Sequence, residues 1–552
     1  NEIMVMGSDF KLKFNIKDSG DISDIVFDKA GNAYIYGYSN GGMTLSAIDT
    51  ETGETGKEVP LPVGDYGSII TPGNDSDFLI CAGSVVYSYN VGGEAEEIFG
   101  LVESGVSAIE VSRFFYGSEG YIFAGKSYPY NATKISLVKK QPAPENDRKE
   151  IILAGDEYSI SAFIENEAVK FNNLSDDYFI TVKKYGYADY DRMNMDIISG
   201  NIPDILISDS VTPIENYISK GMFADMYELI DSDPELCRED FIPSLLSACE
   251  SDGKLYRFTD SFRIFTLLGK EKIFGNETLT FERLCEIAEK YPDNTEVFPG
   301  CTKYDLLYAA MDFGYIDYEN AECSFDSEQF IKLLEYSDKL SDNINLDDYF
   351  NDEFWSRFET MFSDESALLM TAYLSDFTDL YRFERVQFAD SVSAVGFPRK
   401  SGSGTAFVIQ TGISVSAKAD EKTREGAWQF VRKLLAPEYQ DCVSEFPVRN
   451  DSLQKLAERD MKHDPDRANY GIVVMGGMAL SSAVGDIGEP NEEDVQSVMD
   501  IIASADNILR EDRTINDILA EEAANYYSGS KTAEETAELI QMRIRLYLTE
   551  QA

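Results

Sequence analysis

An all-β repeat module followed by an α/β region is the architecture the sequence predicts, and three observations predict it. Apolar and polar residues alternate with period two through the first 140 residues, between Gly/Asn/Asp turns, which is the pattern of antiparallel strands. Residues 141–148, Gln-Pro-Ala-Pro-Glu-Asn-Asp-Arg, then join two prolines to a charged run and read as a linker. From Lys149 onward strand-like runs alternate with helical stripes, the texture of an α/β protein.

The β module repeats. Asp24–Gly37, followed by Leu45–Asp49 and a Thr52-Gly53 turn, has a strand–turn–strand–strand rhythm. Ser68–Gly73 with Phe78–Ala82 and Val85–Tyr89 repeats it, and Val111–Gly125 with Lys134–Val138 repeats it again. The period is about 40–45 residues, the length of a four-stranded propeller blade. Asn1–Ile16 reads as the closing strands of an earlier blade, so residues 1–140 are expected to form three to four propeller-like blades. That number is at or below the usual minimum for a closed ring, so the array is expected to be truncated or stacked on another element. The chain opens abruptly on strand sequence, which predicts residues upstream, any targeting segment among them.

In the α/β region, Glu150–Ala154 and Tyr178–Tyr185 are strand-like, and Ile160, Phe163, Ile164, Ala168 and Phe171 form a helical stripe between them, making a β–α–β unit. Pro203–Ile207 supplies a further short strand. Helical faces follow at Phe281/Leu284/Ala288, Phe330/Leu333/Leu334 and Ala427/Phe430/Val431/Leu434. At the end of the chain Ile515, Ile518, Leu519 and Ala523 share one face, and Thr532 with Glu535 forms a capping box for a last helix.

Composition narrows the function. The 552 residues hold 99 Asp+Glu against 48 Lys+Arg, a formal charge of −51, which disfavours nucleic acid and adhesion to a bilayer through a basic patch. With 43% hydrophobic and 12% aromatic residues the chain has the apolar material for folded cores. Its one histidine, His463, sits in a charged, Pro-interrupted stretch and reads as a loop residue, which leaves little for histidine-based nucleophilic or zinc chemistry. The seven cysteines are scattered without a CxxC pair; most are expected as buried thiols, with one or two bridges possible within 237–323. Gly120–Ser127 matches a phosphate-loop string, but its interior is bulky strand sequence and Tyr128-Pro129 follows where a helix would have to begin. No calcium loop is present, and no cofactor or metal is expected. The 468–485 stretch lacks charge but is too rich in glycine and serine for a membrane span.

Eight short segments, in order over residues 149–552, carry a resemblance. They are Gly200-Asn-Ile-Pro203-Asp204-Ile205 after the helical run from Asp191; Gly221-Met-Phe-Ala-Asp225 through Leu229; Gly253-Lys-Leu-Tyr256-Arg-Phe258; Leu279-Thr-Phe-Glu-Arg-Leu284; Val395-Gly-Phe-Pro398 with Gly402 and Gly404; Gly412-Ile-Ser-Val415; Ala427-Trp-Gln-Phe430; and Tyr527-Ser-Gly529 through Glu535. Together they resemble the extracellular solute-binding proteins of ABC importers, the carbohydrate-binding class. The resemblance implies a two-lobed periplasmic-binding-protein-like α/β fold over 149–552. Its lobes would be discontinuous in sequence, with hinge crossings near 258–265 and 390–415, closing over a ligand without catalysis. It further implies an extracellular, cell-surface protein, held to the membrane only by a lipid anchor outside this sequence, working as a monomer with permease subunits.

Binding a carbohydrate needs aromatic faces against C–H bonds and polar side chains making paired hydrogen bonds to hydroxyls. Asp209 follows the Pro203–Ile207 strand, where α/β ligands sit, and is also placed to cap the next segment. Tyr256, Phe262 and Arg263 lie along the strand expected to cross between lobes, and an arginine among apolar neighbours needs a partner. Trp355 is a stacking candidate that core packing would equally explain, whereas Trp428 reads as structural. Tyr373 stands at a strand end, and Phe407 and Asp486 follow glycine-rich turns. The leading function is capture of an oligosaccharide. Binding of a peptide or another small polar solute, a surface adhesion or scaffold module, and last a two-carboxylate glycosidase are the alternatives.

Overall fold

The computed structural model describes all residues except 1, 7–10, 18–20, 40, 65–66, 128–131, 140–146, 187–189, 278, 310–313, 319, 343–356, 358–359, 400–402, 464–469, 476–477, 484–486, 511 and 552. The chain divides into two compact units, Asn1–Lys184 and Tyr185–Ala552.

The first unit begins with a hairpin of β1 (Glu2–Met6) and β2 (Leu12–Lys17). Three antiparallel meanders follow. The first is β3 (Asp21–Phe27), β4 (Ala33–Ser39), β5 (Gly42–Ile48) and β6 (Val59–Pro60). The second is β7 (Ile69–Pro72), β8 (Phe78–Ala82), β9 (Val85–Tyr89) and β10 (Ala95–Gly100). The third has three strands, β11 (Val111–Gly117), β12 (Gly120–Lys126) and β13 (Thr133–Lys139). Strand β7 lies against both β3 and β11, so the leading strands of the three sheets are neighbours.

Period-two alternation explains why the sheets stack. Along β8, Phe78 and Ile80 join a core with Val26, Tyr36 and Leu45 of the first sheet, while Leu79 and Cys81 join Phe114, Tyr121 and Phe123 of the third. A strand that buries both faces carries a continuous apolar run, as Phe-Leu-Ile-Cys-Ala does. The repeat rhythm is therefore present as an all-β array, and among the described residues no strand pairing closes it into a ring. The phosphate-loop string falls on β12, an antiparallel strand paired on both sides, and forms no loop.

The first unit also contains β14 (Lys149–Asp156), the helix Ala162–Leu174 and β15 (Tyr178–Tyr185), which pairs with β14. Ser161 caps the helix by accepting from the Ile164 amide. One turn in, Glu165 is 2% exposed; it accepts from Ser84 Oγ in the β8–β9 turn and lies 2.9 Å from Lys184 Nζ. Glu103 accepts from the Val182 amide at 3.3 Å. These bonds tie the strand–helix–strand element to the β module.

In the second unit, β16 (Ile205–Ser208) and β17 (Phe258–Thr259) flank β24 (Gly412–Val415), both antiparallel to it. A separate sheet is centred on β18 (Ser261–Lys270), which pairs with β21 (Leu369–Leu374), β22 (Val392–Ala394), β23 (Ala406–Val408) and β25 (Phe446–Pro447), while β28 (Asn507–Ile508) runs parallel to β23. Two small hairpins, β19 (Ile316–Asp317) with β20 (Glu322–Cys323) and β26 (Tyr470–Met475) with β27 (Met478–Ala483), complete the strands. The helices Phe281–Ala288, Glu328–Ser337, Arg513–Tyr527 and Ala533–Gln551 bury the predicted apolar faces in one core with Leu267, Phe325 and Leu368. The capping box forms: Glu535 accepts from the Thr532 amide at 3.0 Å and Thr532 Oγ1 accepts from the Glu535 amide at 3.2 Å. Trp428 is buried, its indole N–H donating to Asp233 Oδ2 at 2.9 Å. All seven cysteines are free thiols. His463 is exposed and pairs with Glu489. Among the described residues no helix is long and apolar enough to cross a membrane, and no His/Cys/Asp/Glu group is placed to hold a metal ion.

Removing Glu165 leaves Lys184 and Ser84 without their shared acceptor inside the first unit. Glu165→Ala is expected to lower stability by about 2–3 kcal/mol, measured by denaturant unfolding, with Glu165→Gln recovering part of the loss.

Candidate ligand-binding site

The chain passes between the two sheets of the second unit at two adjacent places, from β17 to β18 through Asp260 and from β23 to β24 through residues 409–411. Asp260 is 4% exposed. Its Oδ2 accepts from the Tyr439 hydroxyl at 2.6 Å and its Oδ1 from Ser261 Oγ at 3.1 Å. Its carbonyl accepts from Gln440 Nε2 at 2.7 Å. Burial pushes the Asp260 carboxyl above its ordinary range, with the Tyr439 bond opposing that rise.

Beyond Asp260, the two-residue period of β18 sorts its side chains. Phe262 and Ile264 are fully buried, whereas Ser261, Arg263 and Phe265 turn to the other face and are half-buried. Phe262 packs edge-on against Phe407 with centroids 5.2 Å apart and stacks on Phe446 at 5.4 Å. Phe262 and Phe407 are thus core residues, a correction to their expected contact with ligand. Phe407 opposes Ile264 in the β18–β23 register, which sends it to the same interior face.

The half-buried face brings Arg263 and Tyr373 together. Tyr373 opposes Phe265 across β21, and their rings stand 4.8 Å apart. Phe265 in turn stacks on Phe397 at 4.7 Å, with 21° between the planes. The Arg263 guanidinium is 5.3 Å from the Tyr373 centroid, and its Nε lies 3.2 Å from Glu445 Oε1. Burial raises the Glu445 carboxyl, and Arg263 works against that rise. The result is a pair of half-buried rings, Tyr373 and Phe265, backed by the buried core ring of Phe397, with an Arg–Glu ion pair beside Tyr373.

Past Tyr373 the chain turns through a cluster of carboxylates. Asp379 Oδ2 accepts from the Ser375 amide at 2.7 Å and from Ser375 Oγ at 2.9 Å, and Arg382 lies 3.3 Å from Oδ1. Full burial, reinforced by the charge of Asp376, outweighs these donors and pushes the Asp379 carboxyl up to about 7.

The other expected residues stand elsewhere. Asp209 Oδ1 is engaged in its own turn, accepting from the Val211 and Thr212 amides at 3.2 and 2.9 Å and from Thr212 Oγ1 at 2.7 Å. Its carbonyl accepts from Nη2 of Arg257, a buried residue, at 2.9 Å. Gly412 makes room for that guanidinium, since a Cβ there would come within 1.9 Å of Arg257 Nε. Tyr256 is half-buried, with Lys254 Nζ 5.9 Å from its ring centroid. Trp355 and Asp486 lie outside the described residues.

Sequence reasoning missed Glu445, Phe265, Phe397 and Arg257, whose roles depend on pairings across the fold.

The sequence matches the family model described as bacterial extracellular solute-binding protein over residues 168–469, more than half of the chain. The chain belongs to that family. Similar folds among solved structures include the ABC substrate-binding protein Lmo0181 from Listeria monocytogenes in complex with cycloalternan, with 16% identity, 73% of this chain and 100% of that chain covered, and a TM-score of 0.45. The sugar-binding protein MalE from Xanthomonas citri has 10% identity, with 73% and 98% covered and a TM-score of 0.46. The GacH receptor of Streptomyces glaucescens, in unliganded form and with acarbose, has 16% identity, with 73% and 99% covered and a TM-score of 0.43. No curated protein matches the sequence.

The Asp379 position makes a pH prediction with a definite sign. A carboxyl that titrates at about 7 in the fold and at 3.8 ordinarily holds its proton more tightly when folded, so its stabilising effect is full below 3.8 and is lost as the pH rises through about 7. Asp379→Asn, which keeps an acceptor for Ser375, is expected to flatten stability against pH across that interval in denaturant titrations. An unchanged profile would place the titration elsewhere.

Proposed function

We propose that this chain is the substrate-binding subunit of an ABC importer and that its solute is a carbohydrate, of oligosaccharide size. Family membership supports solute capture, and one observation carries the choice of solute: the half-buried rings of Tyr373 and Phe265 stand beside the Arg263–Glu445 pair next to the strand crossing. Flat rings suit the C–H faces of a sugar. A guanidinium donates and a carboxylate accepts, so a vicinal diol spanning both satisfies its hydroxyls as donor and acceptor. Because the two charges offset each other, the face favours an uncharged guest over an ion.

In this reading the crossings at 258–265 and 390–415 are hinges between two lobes, and ligand shifts the population toward the closed form. The β module is propeller-like and serves recognition outside the cell. The protein works as a monomer, is tethered by a lipid and hands its solute to permease subunits. Its role is binding, without catalysis.

A thermal-shift screen over monosaccharides, oligosaccharides and peptides tests the proposal. A true ligand at about 100 times its Kd stabilises by about 2.7 kcal/mol. An oligosaccharide is expected to do so, and Tyr373→Ala to weaken its binding by ~10–100-fold, a larger loss than the fall in the free protein's own stability accounts for. Stabilisation by peptides alone would assign the site to peptides, and release of reducing ends would make the protein a glycosidase.

A further inference from the structure

Among the described residues the third sheet of the β module has one strand fewer than its two sister sheets. The sheets led by β3 and β7 have four strands each, and the sheet led by β11 has three. Since β7 lies against both β3 and β11, the sheets are in phase, and β13 occupies the third position, the one held by β5 and β9. Among the described residues no strand takes the fourth position beside β13, which β6 and β10 fill in the sister sheets. Strand β13 pairs with β12 in unbroken register from Thr133 to Lys139, so a seven-residue edge is presented in regular extended form.

The charged side chains of the three strands are all basic, and Lys134 of β13 pairs with Glu110, just before β11. Strands β11, β12 and β13 contain no Asp or Glu, in a chain that has 99. Register puts Arg113 in a row with Ile135, and Phe115 in a row with Leu137, all on one face. That face exposes Phe115 at 48%, Ile135 at 70% and Leu137 at 46%, with exposed cations Arg113, Lys126 and Lys139 around them. A long, regular edge beside exposed apolar side chains is a feature that folded proteins usually blunt or cover. The sister sheet indicates what covers it: β10, Ala-Glu-Glu-Ile-Phe-Gly, brings exposed Glu96, Glu97 and Ile98 to the equivalent position on β9.

We propose that the outer edge of β13 is a strand-addition site for an extended segment of a partner protein, in which acidic and apolar side chains are interspersed. Backbone hydrogen bonds to the β13 edge give it affinity, Ile135 and Leu137 receive its apolar side chains, and Lys139 receives its carboxylates. Long-range repulsion from the −51 charge of the chain is screened beyond about 8 Å at physiological salt, so the local cations dominate at the edge.

The probe is a synthetic peptide of this chain's own β10 region, residues 92–102, tested against the full chain by hydrogen exchange. Exchange across 133–139 is expected to slow by ~10-fold at millimolar peptide. The effect should vanish when the peptide glutamates are replaced by lysine and weaken with Leu137→Asp. Lys139→Glu should weaken the acidic peptide and favour the lysine peptide instead. No slowing at 133–139, or equal slowing by both peptides, would overturn the proposal. So would a concentration-dependent dimer in sedimentation velocity that Ile135→Asp abolishes, because the edge would then belong to a second copy.

Discussion

The candidate site depends on the way one ten-residue strand, Ser261–Lys270, is launched from a buried carboxylate. Asp260 is held by the Tyr439 hydroxyl and through its carbonyl by Gln440, which itself donates to the Leu434 carbonyl and accepts from the Val448 amide. That clamp sets the register of everything after it. Slipped by one residue, β18 would turn Arg263 and Phe265 into the core and Phe262 and Ile264 outward. The arginine would then need a buried partner and the phenylalanine–phenylalanine contacts with Phe407 and Phe446 would be lost. The same alternation that builds the interior therefore composes the binding face.

Charge is organised at the site as well as across the chain. The Arg263–Glu445 pair and the Asp376–Asp379–Arg382 group place ions of both signs near the rings of Tyr373 and Phe265, partly or fully withdrawn from water. Such groups are costly when a partner is lost and steady when complete. The surplus of carboxylates elsewhere is consistent with an acidic exterior, and the strands β11–β13 stand apart from it in having no Asp or Glu.

Much of the architecture was legible in the sequence. Period-two runs with Gly/Asn/Asp turns located the three meanders, and Pro203–Ile207, the helical stripes and the Thr532–Glu535 box fell where local chemistry put them. These are local signals. The candidate site was legible only in part: Arg263 and Tyr373, which share its half-buried face, stand out locally because one is a cation among apolar residues and the other ends a strand. Phe262 and Phe407 have the same local look, and only strand pairing, unknown from sequence, sends them inward. Glu445 escaped notice because nothing local distinguishes it from the other carboxylates; its role exists through contact with a strand far away in the chain. Arg257 escaped similarly, since its setting depends on the missing side chain of Gly412.

The central claim is that solute drives the two sheets joined at Asp260 and at 409–411 toward each other. The direct measurement is a distance distribution by pulsed electron resonance between labels at Glu228 and Glu328, exposed positions on helices of the second unit, with non-natural residues carrying the labels because the native thiols are free. A saturating oligosaccharide should replace a broad distribution by a narrower one at shorter distance. An unchanged distribution in the presence of a sugar proven to bind would contradict the account.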